Sequence, residues 1–241
     1  YTAPSPRRPF LDAITEAPTA QRILTATGSP FPGTPTHPEV VAAVESVARV
    51  LAGLGHHLDT GAPAIDPDAV ADAIAVLHTV SNAELHAFAT EHLGRAPLED
   101  EFEPSTWVMV REGFGTTGTA YAQAIANVHA QTRRFVAGMA GHDVLLVPTL
   151  LTPPPPFALL DQPRGTTRKF FDVEFATTGW TTLANVTGWA AISLPLRISS
   201  AGLPIGVQLM APDETVLLQL ARQLEIATPW TERVPPAWVG A

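Results

Sequence analysis

NVTGWAAISLPLRISSAGLPIGVQLMAP, residues Asn185 to Pro212, decides how the chain is read. AAISLPLRI (Ala190–Ile198) and LPIGVQLMA (Leu203–Ala211) are apolar runs of strand length, separated by SSAG. Continuous apolar runs bounded by turn residues predict two buried strands joined as a hairpin. DETVLLQLARQLEIA (Asp213–Ala227) follows, with Val216, Leu217, Leu220 and Leu224 on one helical face and Asp213 and Glu214 at its start. That pattern predicts an amphipathic helix packed on those strands.

The same alternation runs upstream. HPEVVAAVESVARVLAGLGH is the clearest helix: Pro38 and Glu39 suit its first turn, and Gly55 suits its end. Val40, Val44, Val47, Val50, Leu51 and Leu54 share one face. Short strands are predicted on either side, within Gln21–Gly28 and from His56 to Leu58. Asp66–Gly94 is helical in period, as one helix or two, capped by Asp66 or Asp68. Ala120–His142 reads as a long helix, and DVLLVPTL (Asp143–Leu150) as a strand covered on both faces. Tyr1–Thr19 is rich in proline and reads as extended loop. Gly, Thr and Arg around Asp161–Lys169 read as a loop, followed by a helix over Asp172–Asn185. Helices and strands in this order predict an α/β fold, a mixed sheet with helices on both faces. No repeat and no linker divides the 241 residues, so residues 1–241 are expected to form a single domain.

Composition excludes several classes. Hydrophobic residues make up 46% and charged residues 15%, which suits a chain with a large core. A net charge of −9 argues against a nucleic-acid partner. No run approaches the roughly 18 apolar residues of a membrane span, so no membrane partner is expected. Cys is absent, which removes disulfides and thiolate metal sites and is compatible with a cytoplasmic location. The chain opens at Tyr1 inside a proline-rich run, as the middle of a longer polypeptide would.

Motifs for chemistry are few. The eight His residues include no HExxH and no pair four apart on one helix, so no metal site is expected. There is no G-x-S-x-G elbow, and Ser193 is expected to pack inside a buried strand. GFGTTG (Gly113–Gly118) fits neither dinucleotide nor P-loop spacing and reads as a loop entering a helix. LEDEFE (Leu98–Glu103) reads as a solvated acidic loop.

The closing segment nevertheless resembles a known family. An Asn-x-x-Gly turn (Asn185–Gly188), the strand Ala-Ala-Ile-Ser-Leu-Pro, then Gly-Leu-Pro-x-Gly-x-Gln (Gly202–Gln208), the Leu-rich helix and Pro229–Trp230 are similar to the C-terminal signature of the amidase signature family. LGHHLDTGAP and DVLLVPTL resemble further stretches of it. EPSTW with GFGTTGTAY is similar to the branch containing 6-aminohexanoate cyclic dimer hydrolases. The resemblance implies the C-terminal portion of that fold and hydrolysis of a carboxylic amide without a cofactor. Such enzymes use a Ser nucleophile, a second Ser in a cis peptide and a Lys, all in the N-terminal half. This chain has no Gly-Ser-rich run, and its sole lysine, Lys169, falls in the Thr/Arg loop. The expectation is therefore that no catalytic residue is present and that the chain alone is inactive. Its partners would be an N-terminal half carrying Ser, Ser and Lys, in the same or a complementing polypeptide, and a small-molecule amide. An exposed apolar face would allow a homodimer. The resemblance sets Phe114, Gly115, Thr116, Thr178 and Trp180 near the substrate pocket. Thr177 and Thr178 replace the acid of members acting on charged amides, which implies an uncharged substrate. Two other readings stay open: a non-catalytic partner or binding module, and an unrelated hydrolase whose dispersed triad includes a His.

Overall fold

A computed structural model describes residues 8–33, 35–157 and 165–233. One sheet has the strand order β2-β1-β3-β5-β4. β1 (Arg22–Thr25), β2 (His57–Thr60) and β3 (Val144–Pro148) run parallel. β5 (Pro204–Ala211) is antiparallel to β3 and to β4 (Ala190–Ile198). The mixed sheet is flanked by helices on both faces, an α/β architecture as expected.

One face buries Ile23, Val144, Leu146, Val207 and Leu209 against two helices, α2 (Pro38–Gly53) and α8 (Glu214–Ala227). Leu217, Leu220 and Leu224 of α8 are at most 2% exposed. Each such side chain contributes roughly 1.5–3 kcal/mol, as an upper estimate. Val40, Val44, Val47 and Leu51 do the same on α2, while Leu54 lies outside the stripe at 38% exposed. The alternate strand residues Leu24, Leu145, Val147 and Met210 face the second core, as the period of two requires. Among the described residues, five helices pack on that side: α3 (Pro67–Leu93), α4 (Pro104–Phe114), α5 (Gly118–Gly138), α6 (Thr167–Thr178) and α7 (Thr181–Thr187). β3 is buried along its whole length, as its unbroken apolar run predicts.

Several expectations need correction. Phe10–Ala13 form a helical turn, α1, inside the segment read as extended. Pro9 precedes it, where a missing N–H is harmless, and the Ala13 carbonyl accepts from Gln219 Nε2 at 3.1 Å. The Asp66–Gly94 region is one helix, α3; no Gly or Pro interrupts residues 68–93. Asp66 Oδ1 caps it by accepting from Ala69 N at 3.2 Å, and Gly94 ends it in the left-handed conformation. α5 begins earlier than Ala120, because the Thr117 hydroxyl accepts from Ala120 N at 3.1 Å. Phe114 and Gly113 belong to the end of α4 rather than to a loop. Lys169 lies in the first turn of α6, not in a loop, because the Thr166 hydroxyl caps that helix. Part of the Asp161–Lys169 reading falls outside the described residues.

The largest correction concerns β4. It is an edge strand, not a buried one. Leu194 and Leu196 are buried against the α2 and α8 core, but Ala191, Ser193 and Pro195 are exposed. Ser193 Oγ lies 2.6 Å from Thr149 Oγ1 on that open surface. The sheet order explains the difference: among the described residues β4 has one neighbouring strand, β5.

Candidate functional site

Helix α6 builds one wall of a largely apolar cavity. Phe171 and Phe175 recur one turn apart and are buried. Phe175 stacks on Phe31 at 4.4 Å between ring centroids. The helix stops at Thr178 because Gly179 follows with φ +50°, a conformation that favours glycine. A Cβ there would also stand 2.9 Å from the Leu151 side chain. The chain then turns at Trp180, which is 1% exposed and donates its indole N–H to the Gly28 carbonyl at 2.8 Å. This anchor sets the direction of α7.

Between α6, α7, α3 and α5 lies a cavity of about 350 Å³, within the usual range for a small-molecule site. Ile74, Val128 and Phe171 supply apolar surface; His78, Glu174, Thr178 and Asn185 supply polar groups. Thr178 donates its hydroxyl to the Glu174 carbonyl at 2.9 Å, one turn back. Thr132 donates to the Val186 carbonyl at 3.0 Å and so ties α5 to α7. His78 keeps solvent contact, yet its ring lies 4.8 Å from that of Phe171. Desolvation there lowers its pKa, which favours the neutral imidazole.

Of the residues expected near a pocket, Thr178 lines this cavity. Trp180 does not; it is part of the core beneath. Phe114 is 62% exposed at the end of α4, edge-on to His86 at 5.3 Å. Gly115 ends α4, and Thr116 donates to the Glu112 carbonyl at 3.1 Å. Thr116 Oγ1 lies 3.4 Å from the hydroxyl of Thr79, the residue after His78. The group 114–116 therefore sits behind α3 rather than on the cavity wall. Glu174 and His78 had not been singled out. Glu174 was detectable, since it precedes Thr178 by one helical turn. His78 was not, because its partner Phe171 is distant in sequence.

The histidines have other employment. His56 Nδ1 accepts from Gln21 N at 3.0 Å, and its Nε2 lies 2.9 Å from Gln223 Oε1. His142 Nε2 lies 3.1 Å from Asp59 Oδ2, but its buried Nδ1 meets no hydroxyl among the described residues. Among the described residues, no three His, Asp or Glu side chains converge as metal ligands would. Among them too, no helix is long and apolar enough to cross a membrane.

Comparison with known proteins accounts for this arrangement. The family profile described as Amidase matches residues 3–217. The chain is 32% identical to a 6-aminohexanoate-cyclic-dimer hydrolase of Paenarthrobacter ureafaciens, covering 98% of this chain and 50% of that protein. It is likewise 32% identical to the putative amidase AmiA2 of Mycobacterium bovis, over 94% of this chain and 46% of that one. A solved structure of 6-aminohexanoate cyclic dimer hydrolase complexed with substrate superposes with a TM-score of 0.90, at 32% identity, over 98% of this chain and 51% of that one. The chain thus spans about half the length of the relatives it matches. With most of its length matched by the profile, the chain belongs to the amidase family.

Proposed function

We propose that this chain is the C-terminal part of an amidase that hydrolyses a carboxylic amide C–N bond. The Ser nucleophile, the cis-peptide Ser and the Lys come from an N-terminal half, and the chain alone is inactive. The observation that carries this reading is coverage: 98% of the chain aligns with only half of its hydrolase relative.

The chemistry explains why both halves are required. A neutral Lys acting through the second Ser would take the proton of the nucleophile and return one to the leaving amine. Backbone donors would hold the oxyanion. Water would then release the acid. Nothing in that sequence needs a metal or organic cofactor. Here the α3–α5–α6–α7 cavity would receive one arm of the amide, with Thr178 on its wall. Phe114, Gly115 and Thr116 would support it from behind α3, and Trp180 from below.

The open sheet surface supports the same reading. Gln208, 4% exposed, faces Ser193 across the β4–β5 pair, and its Nε2 finds no acceptor among the described residues. A buried unpaired donor is costly, and contact with an N-terminal half on this surface would let the Gln208 amide reorient toward a carbonyl. Gly206 leaves the Thr149 and Ser193 hydroxyls room on that surface; a Cβ there would come within 2.8 Å of both. Hydrolysis of simple amides should be absent with the chain alone and present once a matching N-terminal half is supplied. Equal activity with and without that half would refute the proposal.

A further inference from the structure

We infer that the α3–α5–α6–α7 cavity binds a primary alkylammonium group, with the Glu174 carboxylate as its counter-ion; as a statement about substrate, this rests on the amidase reading above. Glu174 is the one acidic residue of the lining, and no Arg or Lys lines the cavity with it. Its carboxylate has no hydrogen-bond or ion-pair partner among the described residues. Several other carboxylates are engaged: Asp68, Asp72 and Asp172 hold Arg168, and Glu101 holds Arg95. Glu112, also on the inner side, accepts from Thr167 N at 3.2 Å.

Glu174 is half-buried and shares the lining with Ile74, Val128 and Phe171. A cation on an apolar stem satisfies both features at once: the stem covers the hydrocarbon wall and the ammonium meets the charge. An ammonium has three N–H donors. One serves Glu174, and the Thr178 hydroxyl and the Asn185 amide oxygen are acceptors on the same lining. The lowered pKa of His78 favours its neutral form, which adds no competing charge. The substrate class is therefore an amide bearing a primary amine on an alkyl arm. On this inference the acid stands one turn before Thr178 on the same helix, where Thr177 and Thr178 alone had implied an uncharged substrate.

The test titrates n-hexylammonium and 1-hexanol separately into the intact protein by calorimetry at neutral pH. The ammonium should bind about tenfold more tightly than the alcohol. In Glu174→Gln the two should bind alike, with hexanol binding unchanged. Equal binding in the unaltered protein, or a preference that survives Glu174→Gln, overturns the inference. Should Glu174→Gln fail to fold, the comparison in the unaltered protein still decides, and Glu174→Ser repeats the substitution. Amide hydrolysis is assayed separately. With a matching N-terminal half supplied, a preference for the ammonium without hydrolysis leaves the binding inference standing and removes the amidase reading; hydrolysis without the preference does the reverse.

Discussion

The imidazole of His56 joins the segment before β1 to helix α8 through the contacts to Gln21 N and Gln223 Oε1. His56→Leu removes the acceptor from a part-buried amide. Its expected cost is about 1–3 kcal/mol, read as a lower urea midpoint; an unchanged midpoint would show the contact to be dispensable. Gly113 is constrained by space rather than by its dihedrals. A Cβ there would collide with the Thr79 carbonyl where α4 crosses α3. Gly113→Ala is expected to destabilise by roughly 3 kcal/mol, measured in the same way. Glu101 gives a prediction in pH. The Arg95 guanidinium, and then the Leu98 amide, hold its carboxyl down at about 2. Because the folded pKa lies below the ordinary 4.5, the contribution is complete above 4.5 and is lost as pH falls through about 2. Carboxyl NMR should show Glu101 titrating there, and Arg95→Gln should move it back up.

At the scale of elements, Arg168 fastens α6 to α3. It donates to Asp172 on its own helix at 3.0 Å, to Asp68 at 3.0 Å, and to Asp72. Partial burial opposes the guanidinium's charge, but the three carboxylates outweigh it and raise its pKa. The side chain is 37% exposed, so solvent screens the network. Arg168→Met should cost only about 0.5–1 kcal/mol globally. Hydrogen exchange should nevertheless quicken in α6 and remain unchanged in α8, which the network does not touch. Elements with a strong period and a cap were legible in the sequence: α2, α8 and the helical period of α3, whose continuity was left open. The helix expected over Asp172–Asn185 starts earlier, at Thr167, and breaks at Gly179 into α6 and α7; Gly165, Thr166 and Arg168 resemble a loop until Thr166 is recognised as a cap. The anchor of α6 was invisible, since Asp68 and Asp72 lie 100 and 96 residues away. β4 was misread for a related reason. Composition reports how apolar a strand is, whereas exposure depends on how many neighbours its sheet position provides.

At the scale of the molecule, β4 is the last strand of the sheet among the described residues, and the surface around Ser193 is open there. A free edge of this kind invites pairing with another chain. The chain alone is expected to self-associate through it, seen as concentration-dependent sedimentation, and an N-terminal half should suppress that. A strict monomer at every concentration would argue against the edge as an interface. The motifs that revealed the family lie around this surface, in Asn185–Gly188, β4 and β5. The cavity side chains were harder to read, because four helices from distant parts of the chain converge to form it. Amide hydrolysis measured on the chain with and without an N-terminal half tests the central claim most directly. No turnover alone and turnover on adding the half is the result predicted. Turnover by the chain alone that survives Lys169→Ala would contradict it.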